Sequence, residues 1–313
     1  MRLTNGITIP DMGFGTYKMA PEDTEASVLC ALQSGWRHVD TAAFYRNEVE
    51  VGRAVRASGI PRSEIFVTTK LWNADRGYDS ALRAFDRSQE ALGLDYIDLY
   101  LIHWPASPFY WDDWRKLNAD SWRALERLYR EGRVKAIGVS NYMPRHLTAL
   151  LESAEIVPMV DQIEFHPGWM QRDCLEFCAQ RGIVVEAWAP LIKGEALGHP
   201  VIAGIASAHS CSPAQVVLSW VLACGVIPLC KSVTPSRIAD NLKAAELKLS
   251  DEELASISSL GYVGGRCYNP DNCNFYNSYE KVIYCIVRHY DGHCGTRPVL
   301  CRRKYWLFQQ WKF

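Results

Sequence analysis

Four polar side chains stand at or just past the ends of short apolar runs, and all four can carry or hold protons. They are a carboxylate, a phenol, an ammonium and an imidazole: Asp40, Tyr45, Lys70 and His103. The apolar runs have the composition of β-strands and cover residues 37–40, 65–70 and 97–103. Burying such groups at strand ends is costly unless they pair with one another or take part in chemistry. We therefore interpret the chain as an enzyme.

An alternation of strand-like and helix-like stretches predicts how these residues come together. Strands are expected near residues 12–16, 38–40, 65–70, 97–103, 134–139, 160–163, 184–188 and 226–230. Helices are expected at 48–57, 80–92, 119–131, 202–208 and 213–223, among others. Eight strands with intervening helices predict a (β/α)8 TIM barrel, an α/β fold whose active site lies where the strands end. Residues 3–9 predict an N-terminal β-hairpin, because Asn5-Gly6 suits a tight turn.

An open doubly wound sheet is the alternative architecture. It would need a G-x-G-x-x-G turn to hold a dinucleotide, and Gly13-Phe14-Gly15-Thr16 lacks the third glycine. We therefore expect any dinucleotide to be held in another way.

Composition narrows the class of protein and of partner. The chain has 313 residues, 48% of them hydrophobic, and a formal net charge of −1, so nothing favours a nucleic-acid or anionic-membrane partner. Residues 201–230 carry no charged side chain, but polar residues, proline and glycine interrupt them, which predicts a buried helix followed by a strand.

The first six residues lack the features of a signal peptide, so we expect a cytoplasmic protein, and we expect a monomer. The odd number of cysteines, 11, favours reduced thiols.

Six ordered blocks resemble the signatures of the aldo-keto reductases. They lie at residues 35–42, 45–52, 101–105, 138–141, 162–167 and 231–241. The resemblance covers residues 3–275 and is closest to the short-loop branch of microbial and protozoan reductases. That branch includes 2,5-diketogluconate reductases and prostaglandin F synthase-like enzymes. The resemblance implies a barrel domain at residues 1–276 and leaves residues 277–313 as a C-terminal extension of unknown role.

The four strand-end residues fit the chemistry of carbonyl reduction, which needs a hydride on carbon and a proton on oxygen. Tyr45 is the predicted proton donor, and the charge of Lys70 is expected to lower the pKa of its phenol. Asp40 would hold Lys70, and His103 would orient the carbonyl oxygen by a hydrogen bond. Taken singly, each has an ordinary structural interpretation as a salt bridge, a surface tyrosine or a core histidine. The resemblance implies the same catalytic roles.

The resemblance also implies a cofactor site, for which NADPH is the predicted occupant. Ser140, Asn141 and Gln162 offer hydroxyl and amide groups for the nicotinamide carboxamide, and Trp188 stands where a stacking tyrosine is usual. Lys231, Ser232 and Arg237 form a cationic cluster at a helix start, which suits a phosphate and favours NADPH over NADH. The full predicted set of cofactor-binding residues is Thr16, Asp40, Ser140, Asn141, Gln162, Trp188, Pro190, Leu191, Lys231, Ser232, Val233, Thr234, Arg237 and Asn241.

Aromatic residues are the predicted walls of the substrate cleft. Tyr17, Trp72 and Trp104 are expected to line it with His103, and the aromatic-rich residues 107–114 to overhang its mouth. These side chains could equally pack on the barrel as structure. The predicted function is NADPH-dependent reduction of small aldehydes and ketones with broad specificity. The alternatives are an NADP-dependent sugar dehydrogenase and a non-catalytic NADPH-binding auxiliary or redox-sensing subunit.

The C-terminal extension does not match the family. Its possible metal ligands have spacings unlike those of common zinc fingers, so no metal is predicted: Cys285, His289, His293, Cys294 and Cys301. A segment packed on the barrel exterior and a poorly ordered extension are both compatible with its sequence.

Overall fold

The N-terminal hairpin is confirmed in the computed structural model, which describes residues 1–109 and 111–271. Arg2 pairs with Thr8 in antiparallel fashion, and Leu3 N–H donates to Ile7 O at 2.8 Å. Gly6 has φ +86°, a conformation that favours glycine at the turn. Leu3 and Ile9 are buried in a small apolar cluster with residues of the barrel strands.

Eight parallel strands form a closed barrel in which each strand pairs with the next and β8 pairs with β1. They are β1 (Gly13–Gly15), β2 (His38–Asp40), β3 (Phe66–Leu71), β4 (Ile97–Ile102), β5 (Val134–Ser140), β6 (Val160–Glu164), β7 (Val184–Trp188) and β8 (Ile227–Cys230). The predicted (β/α)8 TIM barrel is therefore confirmed.

Ten α-helices lie in the described part of the chain, and the strands alternate with them. They are α1 (Pro21–Gln33), α2 (Glu48–Ala57), α3 (Tyr78–Leu92), α4 (Trp114–Arg130), α5 (Pro144–Leu151), α6 (Arg172–Ala179), α7 (Pro200–Ala208), α8 (Pro213–Ala223), α9 (Pro235–Leu242) and α10 (Asp251–Ser258). Several of them start at a proline, which is favoured in a first turn because its missing N–H would have no helical partner there.

The uncharged stretch at 201–230 forms α7, α8 and β8, and α8 is largely buried, as predicted. Ser212 caps α8: its Oγ accepts from Gln215 N–H, and the Gln215 side chain accepts from Ser212 N–H at 2.8 Å. No single helix in residues 1–109 and 111–271 is long and apolar enough to cross a membrane. Within those ranges, α7 and α8 reach that length and composition only together, and they meet at a bend of 96°.

Strand register brings polar side chains to common levels inside the barrel. Asp40 on β2 is level with Thr68 on β3, and Gln162 on β6 is level with Glu186 on β7. Gly138 on β5 allows the barrel wall to close here, because a Cβ would lie 2.5 Å from Val160 O on β6. The predicted domain boundary at residue 276 lies outside the described residues and stays a prediction, as do the tail and its candidate metal ligands.

Candidate active site

Lys70 is the centre of the site and is fully buried. Its Nζ donates to both carboxylate oxygens of Asp40, at 2.7 and 2.6 Å, and to Thr41 O at 2.9 Å. The same ammonium lies 3.4 Å from the hydroxyl of Tyr45. The ring of His103 faces that of Tyr45 edge-on, with centroids 5.7 Å apart. The four predicted catalytic residues are therefore brought together.

The acidity of Tyr45 differs from the expectation. Burial raises the pKa of Tyr45 well above its ordinary value of 10, and the charge of Asp40 and the phenol of Tyr17 act in the same direction. The expected lowering is therefore wrong: burial of the phenol is the largest effect, and the Lys70 ammonium is already paired with both oxygens of Asp40. Tyr45 is therefore a neutral phenol at neutral pH and carries a proton that it can give.

His103 is uncharged at neutral pH. Burial lowers the pKa of His103 well below 6.5, and the charges of Lys70 and Arg76 lower it further. Its Nδ1 is buried and has no hydrogen-bond partner in the described part of the chain, and its backbone oxygen accepts from Asn141 Nδ2 at 2.9 Å. A neutral imidazole can donate from one nitrogen only, so the tautomer decides which ring atom can bind a carbonyl oxygen.

Aromatic rings form one wall of the site. Trp72 lies edge-on to His103 at 5.1 Å, and Tyr17 lies 5.0 Å from Tyr45. Phe44, which the sequence analysis missed, stacks on Trp72 with centroids 3.9 Å apart and is 40% exposed. Trp104 is buried instead and lies 6.2 Å from the ring of Tyr268. That these side chains touch substrate stays a prediction.

Tyr268 is a second residue that the sequence analysis missed. Its ring lies 6.4 Å from that of Trp188, and a carboxylate at the end of β6 fixes its position. Glu164 accepts hydrogen bonds from the backbone N–H groups of Arg266, at 2.7 Å, and Tyr268, at 3.2 Å. Burial alone would raise the pKa of Glu164, but the contact with His166, 3.5 Å away, and these backbone bonds outweigh burial and lower the pKa. Glu164 thus anchors the last described segment beside the site.

The predicted overhang at residues 107–114 is only partly a loop. Trp114 is the first residue of α4 and packs edge-on against His146 at 5.8 Å. Phe109 is 67% exposed. Helix α4 therefore starts five residues before the predicted position, and its first residue, Trp114, is the last residue of the aromatic segment.

The amide-binding residues follow β5, β6 and β7. Asn141 Oδ1 accepts from the indole N–H of Trp188 at 2.8 Å, which fixes the half-buried ring of Trp188. Ser140 Oγ donates to Gln162 O at 2.7 Å and accepts from Asn141 Nδ2 at 3.0 Å. No described residue donates a hydrogen bond to Gln162 Oε1, so this oxygen has capacity for a carboxamide N–H.

The cationic residues lie between β8 and α9. Lys231 and Arg237 are exposed, and neither forms an ion pair with a residue in the described ranges. Ser232 Oγ accepts from Thr234 N–H at 3.1 Å, and Val233 is 44% exposed. Two exposed cations near the start of a helix fit a phosphate group well.

Two further predicted cofactor residues have partners in the protein, and two lie in the loop after β7. The hydroxyl of Thr16 donates to Asp40 O at 3.0 Å, and Asn241 Nδ2 contacts Cys230 Sγ at 3.9 Å. Pro190 is buried and Leu191 half-buried, in the loop after β7 where Ala189 has φ +53°. Their contact with a cofactor stays a prediction.

Comparison with known proteins gives a consistent result. The sequence profile of the aldo/keto reductase family matches residues 11–261. A glyoxal reductase of Bacillus subtilis is 44% identical over 277 residues, covering 88% of this chain and 97% of that protein. A 9,11-endoperoxide prostaglandin H2 reductase of Trypanosoma cruzi is 45% identical over 277 residues, covering 86% and 94%. A solved structure of a Gox0644 mutant in complex with NADPH has a TM-score of 0.81 and 39% identity, covering 88% and 98%.

Proposed function

Because the chain belongs to the aldo/keto reductase family and is an NADP-dependent oxidoreductase, we propose that it reduces small aldehydes and ketones with Tyr45 as proton donor. One observation carries the proposal. A single buried ammonium, that of Lys70, joins the carboxylate of Asp40 to the phenol of Tyr45, with the imidazole of His103 facing the same phenol.

The proton path uses residues of the chain alone. As hydride reaches the carbonyl carbon, negative charge develops on oxygen, and Tyr45 gives its proton to that oxygen. Lys70 stabilises the phenolate that is left, and Asp40 keeps Lys70 in place. A hydrogen bond from His103 would orient the carbonyl toward Tyr45. NADPH supplies the hydride when bound.

The cofactor is held at two ends. Ser140, Asn141 and Gln162 would bind the carboxamide, while the fixed indole of Trp188 would stack on the nicotinamide ring. Lys231 and Arg237 would bind the phosphate that distinguishes NADPH from NADH. The support for this assignment is that both cations lack acidic partners among residues 1–109 and 111–271.

Broad carbonyl specificity is the proposed substrate range. Tyr17, Phe44 and Trp72 form an uncharged aromatic wall beside Tyr45 and His103. Such a wall gains affinity mainly from apolar contact, which discriminates weakly between substrates of similar size. The same residues would serve a sugar dehydrogenase running in the reverse direction, so the cofactor ratio and substrate levels would set direction.

The test is Tyr45→Phe assayed by loss of NADPH absorbance with methylglyoxal, glyceraldehyde, an aromatic aldehyde and a diketo sugar acid. We expect turnover to fall by at least about 100-fold, because the proton donor is lost, while NADPH affinity changes by less than about threefold. Tyr96→Phe is the matched control, since that hydroxyl donates to Arg62 O, at 3.3 Å, outside the site. Retained turnover in Tyr45→Phe would refute the donor. Tight NADPH binding without turnover in the unmodified protein would favour the auxiliary-subunit alternative.

A further inference from the structure

Glu186 is a buried acid inside the barrel whose role the proposed chemistry does not use. It lies on β7, is fully buried, and is level with Gln162 on one side and with Ile227 on the other. Its Oε2 accepts from Gln162 Nε2 at 2.8 Å. Its Oε1 has no hydrogen-bond partner among the described residues and lies 3.7 Å from His38 Nε2. A buried carboxyl in the centre of an enzyme needs a physical explanation.

The amide of Gln162 joins Glu186 to the catalytic residues. Gln162 Nε2 also donates to Asp40 Oδ2, at 2.9 Å, the oxygen that lies 2.6 Å from Lys70 Nζ. An amide nitrogen has two hydrogens, and the two carboxyl groups use both. The side chain therefore cannot rotate to exchange its nitrogen and oxygen without losing both bonds. Oε1 is the atom left for a ligand.

The groups around Glu186 come from four strands. On β2, Asp40 forms an ion pair with Lys70 of β3, while His38 is neutral because burial lowers its pKa to about 3. On β6, Gln162 is neutral, and Ile227 on β8 is apolar. Burial, followed by the charge of Asp40, raises the pKa of Glu186 to about 8. The site therefore holds no net charge at neutral pH and gains one negative charge as Glu186 ionises.

We propose that Glu186 is a positioning residue for the cofactor, acting through Gln162 to present Oε1 to the nicotinamide carboxamide and biasing the site toward the oxidised cofactor when ionised. The inference rests on the proposed assignment of Gln162 to the carboxamide. NADP⁺ carries a positive charge on its nicotinamide ring that NADPH lacks. A buried negative charge nearby favours the oxidised form. Glu186 would then help to set the direction of the reaction as a function of pH.

Two substitutions separate the positioning role from the charge. Glu186→Leu removes the acceptor for Gln162 Nε2, and we expect NADPH and NADP⁺ to bind at least about fivefold more weakly, with a smaller change in kcat. Glu186→Gln keeps an oxygen acceptor but cannot ionise, and we expect its NADPH affinity at pH 6.5 to stay within about twofold of the unsubstituted protein. Glu126→Gln is the control, a buried glutamate whose Oε1 accepts from Glu155 N–H and Ile156 N–H outside the site.

The measurement is the dissociation constant of each cofactor form by tryptophan fluorescence, at pH 6.5 to 9. In the unsubstituted protein the ratio of the NADP⁺ to the NADPH constant should fall about threefold or more as pH rises, and in Glu186→Gln it should stay flat. A matching fall in Glu186→Gln would overturn the role of the charge. Unchanged affinity in a folded Glu186→Leu would overturn the positioning role. Binding is measured without turnover. A negative result for Glu186 is therefore distinguishable from a negative result for Tyr45 as proton donor.

Discussion

Arg237 is the residue on which the choice between NADPH and NADH is expected to depend. Its guanidinium is exposed and has no acidic partner in the described ranges, so a phosphate would be its first strong ion pair. We expect Arg237→Ala to weaken NADPH binding by about tenfold and NADH binding by less than about twofold. Arg53→Ala is the control, because Arg53 is an exposed arginine on α2. Equal losses for both cofactors, measured by fluorescence titration, would remove the phosphate assignment.

At the level of single residues, the sequence indicated which groups meet but not how their surroundings shift their pKa values. Asp40, Lys70 and His103 could be found because polar groups at the ends of apolar strands are unusual. The direction of the pKa shift of Tyr45 could not be found, since it depends mainly on how deeply the fold buries the phenol and next on the charge of Asp40.

The residues that were missed differ in how much signal they carried. Glu186 carried a signal in the sequence, because it is an acid within the apolar run 184–188. Phe44 and Tyr268 had none, because nothing in their neighbours predicts the rings that they contact.

The contact between α2 and α3 depends on a glycine. A Cβ on Gly52 would lie 1.9 Å from the backbone oxygen of Leu92, at the end of α3. Relieving this clash requires a shift of the backbone, which costs packing energy. We expect Gly52→Ala to lower the free energy of unfolding by about 2–3 kcal/mol. Gly204→Ala on α7 is the matched control, since a Cβ there meets open space. That substitution should raise stability by up to about 1 kcal/mol through helix propensity. Urea unfolding that gave both variants the same sign would contradict the packing argument.

The start of α5 depends on a neutral histidine. His146 Nδ1 accepts from Met143 N–H at 3.1 Å, so its proton lies on Nε2, which is 3.0 Å from Asp271 Oδ1. Burial, with the charge of Arg145, lowers the pKa of His146 to about 3. Between pH 6.5 and 3 this imidazole is therefore protonated in the unfolded chain, where its pKa is the ordinary 6.5, and neutral in the folded chain. Stability should fall as pH drops through this window, by up to about 1.4 kcal/mol per pH unit for this group.

His146→Gln tests this dependence, because an amide oxygen can accept from Met143 N–H without titrating. We expect the variant to lose less stability than the unsubstituted protein between pH 7 and pH 5, as measured by urea unfolding midpoints. Parallel losses would show that His146 does not contribute to the acid sensitivity.

At the level of elements, the sequence predicted the barrel because the polar interruptions between apolar runs are regular. Strands β2 and β7 and helix α2 lie at the predicted residues. The start of α4 was wrong because residues 114–118 pack on neighbouring elements that the sequence does not reveal: Trp114 contacts His146, and Asn118 binds the backbone of Ala106. Tertiary contacts of this kind override local propensity.

For the whole molecule, the question is how much of the chain the site needs. Every residue of the site described above lies in residues 1–271, and the segment after α10 contributes Tyr268 through Glu164 and Asp271 through His146. We expect a chain ending at Tyr276 to keep its NADPH affinity within about twofold, since it retains these contacts. A chain ending at Gly261 loses both and should bind NADPH more weakly and melt at a lower temperature. If the chain ending at Tyr276 lost affinity as well, the tail at 277–313 would have to be counted as part of the functional enzyme, and the predicted boundary at residue 276 would be wrong.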